Sequence, residues 1–322
     1  MAERKRGKVI YRKTLSPLLE IFRVAHERES PFQHYDAGQY AALSRDDCKL
    51  TKKITDQDGK VNFVYDLDDR GNLKHGQVTR HYSIASAPFE TEKHGYLEFY
   101  VVLELIKLEL PGQLSESLFH INPVNDSAIF YSNEISGDFT LEKRAPKFEN
   151  IVMVGTGSGL APFVSIMKQT LQETVQGKKD TRRFTLFHTN RSYQELGYHQ
   201  ELLAIEASKK IDFIYVPSVS RPTNRDYDDA TIGKGRANNL LRTVFKMPLK
   251  EQREVEDTQK LKKAPSPAAV QPVLPAHISR EVLLERMNPQ HTVILTCGNQ
   301  YVMDDIRYIA DQNGIRFEKE EW

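Results

Sequence analysis

The chain has 322 residues, 39% of them hydrophobic, and a formal net charge of +1. That length is enough for two domains that each bury a core, and the near-neutral balance supplies no global electrostatic pull toward nucleic acid or membrane surfaces. No apolar stretch reaches the roughly 18 residues of a spanning helix, and Met1-Ala2-Glu3-Arg4-Lys5-Arg6 lacks the apolar region of a signal peptide, so the expected location is the cytoplasm.

In chain order, the first 146 residues read as strands and turns. Val9–Tyr11, Leu18–Val24, Val61–Leu67 and Leu97–Leu103 are short β-rich runs, punctuated by Asp56-Gln57-Asp58-Gly59 and Asp69-Arg70-Gly71-Asn72. This pattern predicts an antiparallel β-barrel or sandwich. After about residue 148 the rhythm becomes strand-helix alternation. Apolar strands at Ile151–Val154, Phe184–His188, Ile211–Val216 and Val293–Thr296 are separated by helix-like stretches such as Phe163–Gln176 and Gln194–Ser208. Alternation of this kind predicts an α/β parallel sheet with covering helices. The boundary is expected at Ala145-Pro146-Lys147, which gives a β-barrel domain over 1–146 and an α/β domain over 147–322. From 246 to 277 the chain is first charge-rich and then rich in Pro and Ala, which reads as a surface helix followed by an extended linker.

Cys48 and Cys297 are the only cysteines. A cysteine-ligated iron-sulfur cluster needs four thiolates and a structural zinc site several close Cys or His, so no metal site is expected and both are read as free thiols.

Gly155-Thr156-Gly157-Ser158-Gly159-Leu160-Ala161-Pro162 directly follows the apolar strand Ile151–Val154. A strand ending in glycines lets backbone amides and a helix amino terminus approach a diphosphate, because no Cβ intervenes. Pro162 suits the first helical position, where its missing amide costs nothing. By itself Arg80-His81-Tyr82-Ser83 reads equally well as a half-buried strand.

Taken together, Gly38-Gln39-Tyr40, Arg80-x-Tyr82-Ser83 and Gly112-Gln113-Leu114-Ser115 resemble the flavin-binding half of the ferredoxin–NADP reductase family. Gly155–Pro162 and Cys297-Gly298-Asn299 resemble its nicotinamide half, and the motifs occur in family order. The resemblance implies FAD and NADP(H) as cofactors. It implies that Arg80 pairs with the FAD diphosphate, Tyr82 packs on the flavin and Ser83 lies near the flavin N5. An arginine fork suits phosphate, and an aromatic ring covers an otherwise wet flavin face. Tyr100 and Val101 resemble the next cofactor-lining strand, and Gly112, Leu114 and Ser115 the turn that closes around the diphosphate. Gly155, Thr156, Gly157, Pro162, Gly298 and Asn299 are implied to hold the nicotinamide dinucleotide. Cys297 is implied to sit beside the nicotinamide C4, with a role in geometry and not as a nucleophile; a buried small apolar residue describes it as well when the neighbouring motifs are ignored.

The resemblance also bears on which nicotinamide is used. A ribose 2′-phosphate calls for Arg, Lys or hydroxyl donors. Arg191, Ser220-Arg221 and Arg236 follow the expected strands and resemble positions that contact this phosphate, which favours NADP. The terminal Trp322 resembles a terminal aromatic that stacks on FAD in bacterial members. The preceding residue, often Tyr there, is Glu321 here, so whether Trp322 covers the flavin, the adenine or neither stays open. The stretch 43–79 is longer than the family usually carries. Its Asp56-x-Asp58-Gly59 resembles a fragment of a calcium loop, but a hairpin turn is the reading adopted because the other ligands are absent.

The implied activity is hydride transfer between NADP(H) and FAD, coupled to single-electron exchange with an external carrier such as ferredoxin or flavodoxin. Two alternatives are kept: an NAD(P)H-dependent reductase feeding an oxygenase, and a flavin-binding electron-transfer or sensor subunit.

Overall fold

The computed structural model describes residues 3–27, 31–57, 59, 61–107, 110–251 and 270–320. The chain divides into two compact units, residues 1–137 and 138–322.

The first unit contains β1 (Arg4–Ser16), β2 (Leu19–His26), β3 (Tyr40–Lys49), β4 (Thr51–Thr55), β5 (Val61–Tyr65), β6 (His75–Ser83), β7 (Tyr96–Val102), β8 (Leu105–Lys107), β9 (Leu110–Pro111) and β10 (Ala128–Ser136). Six of these strands form an antiparallel sheet in the order β6-β3-β10-β1-β2-β7. The two edges meet just past β6, where Ile84 bridges Phe99 and the Ala85 N–H donates to the Glu98 carbonyl at 2.7 Å. Pairing the edges removes exposed ladder groups, so the sheet curls into a barrel. Side chains alternate along each strand, and Val9, Phe22, Leu43, Leu97, Phe99 and Val101 fill the interior. The helix Gln113–Phe119 inserts Leu114 and Leu118 into this core.

The long stretch after residue 43 resolves into three pieces. β3 continues to Lys49, β4 and β5 form a separate hairpin with Thr51 opposite Tyr65 and Thr55 opposite Val61, and β6 begins at His75. Residue 58 of the expected turn lies outside the described residues, and Gly59 has φ +76°.

The second unit carries β11 (Asn150–Thr156), β12 (Arg183–Asn190), β13 (Asp212–Val219), β14 (Gly233–Lys234), β15 (Thr292–Cys297) and β16 (Arg316–Lys319). All pairings are parallel, in the order β14-β13-β12-β11-β15-β16. Central strands covered on both faces must be apolar throughout, and Ile151-Val152-Met153-Val154 and Val293-Ile294-Leu295 are at most 1% exposed. Helices Ala161–Val175, His199–Ser208, Ala237–Val244 and Gln300–Gln312 accompany the sheet. Two of them are tied by a buried ion pair, Arg242 to Asp305 at 2.6 Å, which Asn238 supports with a 2.8 Å bond to the same carboxylate. Ala145-Pro146-Lys147 falls in this unit, after the short helix Leu141–Arg144. Of the expected linker, residues 252–269 lie outside the described residues; its far end returns to the sheet, where Val273 bridges Lys234. Among the described residues no helix is long and apolar enough to cross a membrane.

Candidate functional site

The strand order of the second unit reverses between β11 and β15. Chain leaving β11 builds outward through β12, β13 and β14, then crosses back to lay β15 on the other side of β11. Loops diverge from the carboxyl ends of the two central strands and leave a crevice, which is where ligands bind in open α/β sheets. Both glycine motifs open there. β11 ends in Gly155-Thr156, Gly157 adopts φ +60°, and a single 3-10 turn, Gly157–Leu160, leads into the helix Ala161–Val175 with Pro162 in its first turn. From β15, Cys297 is followed by Gly298 at φ +124°.

The two motifs are pressed backbone to backbone. A Cβ on Gly159 would overlap the carbonyl of Cys297, and one on Gly298 would overlap the carbonyl and hydroxyl of Thr156. The Thr156 hydroxyl accepts from the Asn299 N–H at 3.0 Å, while the Asn299 side chain caps the helix Gln300–Gln312 through the Val302 N–H at 3.2 Å. Only glycine permits this approach, and a diphosphate needs such bare backbone at a helix start.

Behind the crevice Cys297 is fully buried and donates its thiol hydrogen to Glu320 Oε2 at 2.7 Å. Glu320 arrives just after β16, with its N–H donating to the Thr296 carbonyl at 3.0 Å. Burial and the Glu320 charge push the thiol well above its ordinary pKa. The group is therefore a protonated donor and not a thiolate nucleophile.

The loops after β12 and β13 run side by side. The Ser220 N–H donates to the Asn190 carbonyl at 2.8 Å and the Arg221 N–H to the Arg191 carbonyl at 2.9 Å. Arg191 and Arg221 are thereby neighbours, and neither guanidinium enters an ion pair among the described residues. Arg236, half exposed, lies 3.6 Å from Glu251. Glu195 is buried and its carboxylate accepts the Arg191 N–H at 3.2 Å, so it braces the loop.

In the first unit Arg80 and Tyr82 sit opposite Leu43 and Ala41 of β3, with Ser83 opposite Tyr40. Arg80 is exposed; its guanidinium donates to the Thr79 carbonyl at 2.8 Å and to Gln113 Oε1 at 3.5 Å, with no ion pair among the described residues. Gln113 opens the helix that follows Gly112, so the strand motif and the turn motif converge. That turn is tight: a Cβ on Gly112 would lie 2.9 Å from Ser115 Oγ and 3.0 Å from Glu104 Cβ. Ser115 is buried, its hydroxyl accepting from the Glu104 N–H at 3.1 Å and donating to the Gly112 carbonyl at 3.2 Å. The helix is clamped along its length. Lys49 bonds Glu116 at 2.5 Å, Ser117 donates to Asp47 at 2.6 Å, and Arg12 donates to the carbonyls of Phe119 and Ile121 at 2.6 and 2.7 Å. Tyr82 packs against the barrel core, and burial and the Glu104 charge push its phenol pKa up. Tyr100 is buried on the strand face opposite Val101, whose side chain points into the core and leaves only its backbone for a ligand.

Residues 153–253 match the oxidoreductase NAD-binding domain family. The chain is 24% identical to ferredoxin–NADP reductase A of Sorangium cellulosum over 246 residues, 74% of this chain and 68% of that protein. It is 29% identical over 135 residues to a self-sufficient cytochrome P450 monooxygenase of Aspergillus kawachii, covering 41% of this chain and 13% of that enzyme's length. Among solved structures, a ferredoxin NADP+ reductase from Neisseria gonorrhoeae with bound FAD and NADP superposes over 99% of both chains, with a TM-score of 0.58 at 20% identity. The chain shares the fold of that reductase.

Each unit holds an arrangement suited in chemistry to a dinucleotide: Arg80, with no ion pair among the described residues, beside the tight Gly112 turn in one, and the glycine-lined β11–β15 crevice with Arg191 and Arg221 in the other. Sequence reasoning missed two residues of these arrangements. Glu320 was invisible because it lies far along the chain from Cys297 and only the parallel pairing of β16 with β15 joins them. Gln113 was read as part of a turn, although its amide is what Arg80 meets. Trp322 lies outside the described residues. A 510 Å³ groove lined by Lys209, Lys210, Asp212 and Arg286 opens beside the start of β13, at the opposite end of the strands from the crevice.

Proposed function

We propose that this chain is a flavin-dependent oxidoreductase that exchanges a hydride with NADP(H) and passes electrons singly to a ferredoxin- or flavodoxin-like carrier. The observation that carries the reading is the β11–β15 crevice, in which two glycine motifs leave bare backbone and Cys297 holds its proton against Glu320.

A bound FAD supplies the hydride-accepting atom and the ability to release electrons one at a time. The chain's own residues do the rest. Arg80 offers its free guanidinium edge to the diphosphate, beside the Gln113 side chain that opens the helix after Gly112. Tyr82, held by the barrel core, gives a fixed aromatic surface for the flavin ring. In the other unit Gly155, Thr156, Gly157 and Pro162 form the strand-turn-helix start that meets the nucleotide diphosphate, with Gly298 and Asn299 closing the crevice from β15. Arg191, Ser220, Arg221 and Arg236 face the ribose 2′-phosphate, and charge-assisted bonds there discriminate against NAD. A neutral, buried Cys297 excludes water and fixes the position of the nicotinamide; in the first unit, Ser83 is the hydroxyl for the flavin. The cytoplasm, where NADPH and soluble carriers are available, is the location that suits this reading.

A second reading, a reductase component that feeds an oxygenase, is supported by the 29% identity to a self-sufficient monooxygenase. Stoichiometric nucleotide added anaerobically to the flavin-loaded protein tests both. Fast bleaching of the flavin band by NADPH and slow bleaching by NADH is the expected result. Equal rates with the two nucleotides refute the arginine argument, and a protein that neither reduces is not a reductase.

A further inference from the structure

We infer that the β4–β5 hairpin supplies the seat for the adenine of FAD, with Phe63 as the stacking surface. This rests on the flavin reading above.

The hairpin is anchored beside the diphosphate cradle. Gln113 takes a hydrogen bond from Arg80 through Oε1 at 3.5 Å and gives one to the Thr51 hydroxyl through Nε2 at 2.9 Å. A single amide side chain therefore spans from the phosphate-directed guanidinium to the first rung of the hairpin. In an antiparallel pair, directly opposed residues share a face, and so do residues two apart. Thr51 is opposite Tyr65 and Lys53 is opposite Phe63, so all four lie on the face turned toward Gln113. Tyr65 belongs to the anchoring rung, within electrostatic reach of Lys49, which itself bonds Glu116 of the helix after Gly112. Phe63 and Lys53 form the next rung outward, with the ammonium 5.7 Å from the ring centroid.

The direction also fits. Along β6 the flavin-directed Tyr82 and Ser83 come last, Arg80 before them, and His75 at the start pairs with Lys49, from which the hairpin springs. A dinucleotide whose diphosphate meets Arg80 has its second base on the hairpin side. Phe63 is half-buried, with one cation beside it and a phosphate site one rung away. A purine joined to a diphosphate matches that combination: the ring stacks on Phe63, and Lys53 is freed to meet the phosphates.

FMN carries the same flavin without the adenosine, so the two flavins separate this seat from the rest of the site. Dissociation constants for FAD and FMN, read from flavin fluorescence, are compared for the full chain, Phe63→Leu, which keeps an apolar side chain, and Phe63→Trp, which keeps an aromatic one. The expected result is at least a tenfold loss of FAD affinity in Phe63→Leu, FMN affinity within twofold of the unaltered chain, and FAD affinity regained in Phe63→Trp. Unchanged FAD affinity overturns the inference. So does a parallel loss for FAD and FMN, which makes the hairpin a prop for the barrel. An unaltered chain that binds neither flavin overturns the flavin reading itself.

Discussion

Cys297 donates to Glu320, Sγ to Oε2 at 2.7 Å, with both residues buried at the carboxyl edge of the parallel sheet. A carboxylate that accepts from a thiol in a dry site opposes thiolate formation twice, through its charge and through the bond it would lose. The native protein should therefore leave Cys297 unalkylated by iodoacetamide at pH 8. Glu320→Ala removes the charge and opens space, so alkylation rises, as peptide mass spectrometry would show. The same variant should lower the hydride-transfer rate about tenfold, near 1.4 kcal/mol, while FAD binding is unchanged. A variant with reactive Cys297 and a full rate would remove the pair from the mechanism.

Gly159 faces the Cys297 carbonyl with no room for a methyl group. Gly159→Ala must push β15 away from the glycine turn. A cost of about 1–3 kcal/mol is expected from overpacking, read as a lower melting temperature, together with loss of NADPH binding by calorimetry. Gly177→Ala is a control of a different kind: nothing lies within 4 Å of its added Cβ, so only the strain of its φ of +96° would appear, with nucleotide affinity intact.

The unpaired Arg191 and Arg221 should discriminate between nucleotides. Arg221→Ala is expected to raise KM for NADPH about tenfold, in line with roughly 1.5–3 kcal/mol for a hydrogen bond to a charged group, and to leave KM for NADH within twofold. The NADPH constant should also rise with salt, because exposed charges are screened. An equal rise for both nucleotides would move Arg221 from the 2′-phosphate to a general structural role.

Stability should depend on pH through a buried histidine. His188 lies 2.9 Å from the Tyr215 hydroxyl through Nδ1 and 3.1 Å from Asn190 Nδ2 through Nε2. Burial, then the charge of His199, pushes its pKa down to about 3. Because the unfolded side chain titrates near 6.5, the unfolded state binds the proton first. The contribution is complete above about 6.5 and is lost as pH falls toward about 3. Between pH 7.5 and 5.5 the protein should lose about 1–2 kcal/mol from this group, visible as a lower melting temperature, and His188→Asn should show a smaller drop.

The sequence by itself determined the class of the fold and the order of its motifs. Continuous apolar runs such as Ile151–Val154 and Val293–Thr296, each soon followed by glycine, read as strands covered on both faces, and glycines between a strand and a helix read as bare backbone beside a helix start. Short β-rich runs such as Leu97–Leu103, punctuated by turn residues, marked the barrel in the same local way. β3 and β10 were not legible. Ser44-Arg45-Asp46-Asp47 in β3 reads as a polar loop, and only the barrel partners that bury Ala41 and Leu43 make it a strand. The tertiary structure alone decided which distant groups meet: Glu320 behind Cys297, Gln113 between Arg80 and Thr51, and Arg191 beside Arg221. Propensity and periodicity are properties of neighbouring residues, whereas these contacts are fixed by strand order and register, which bring chain segments together across any sequence distance.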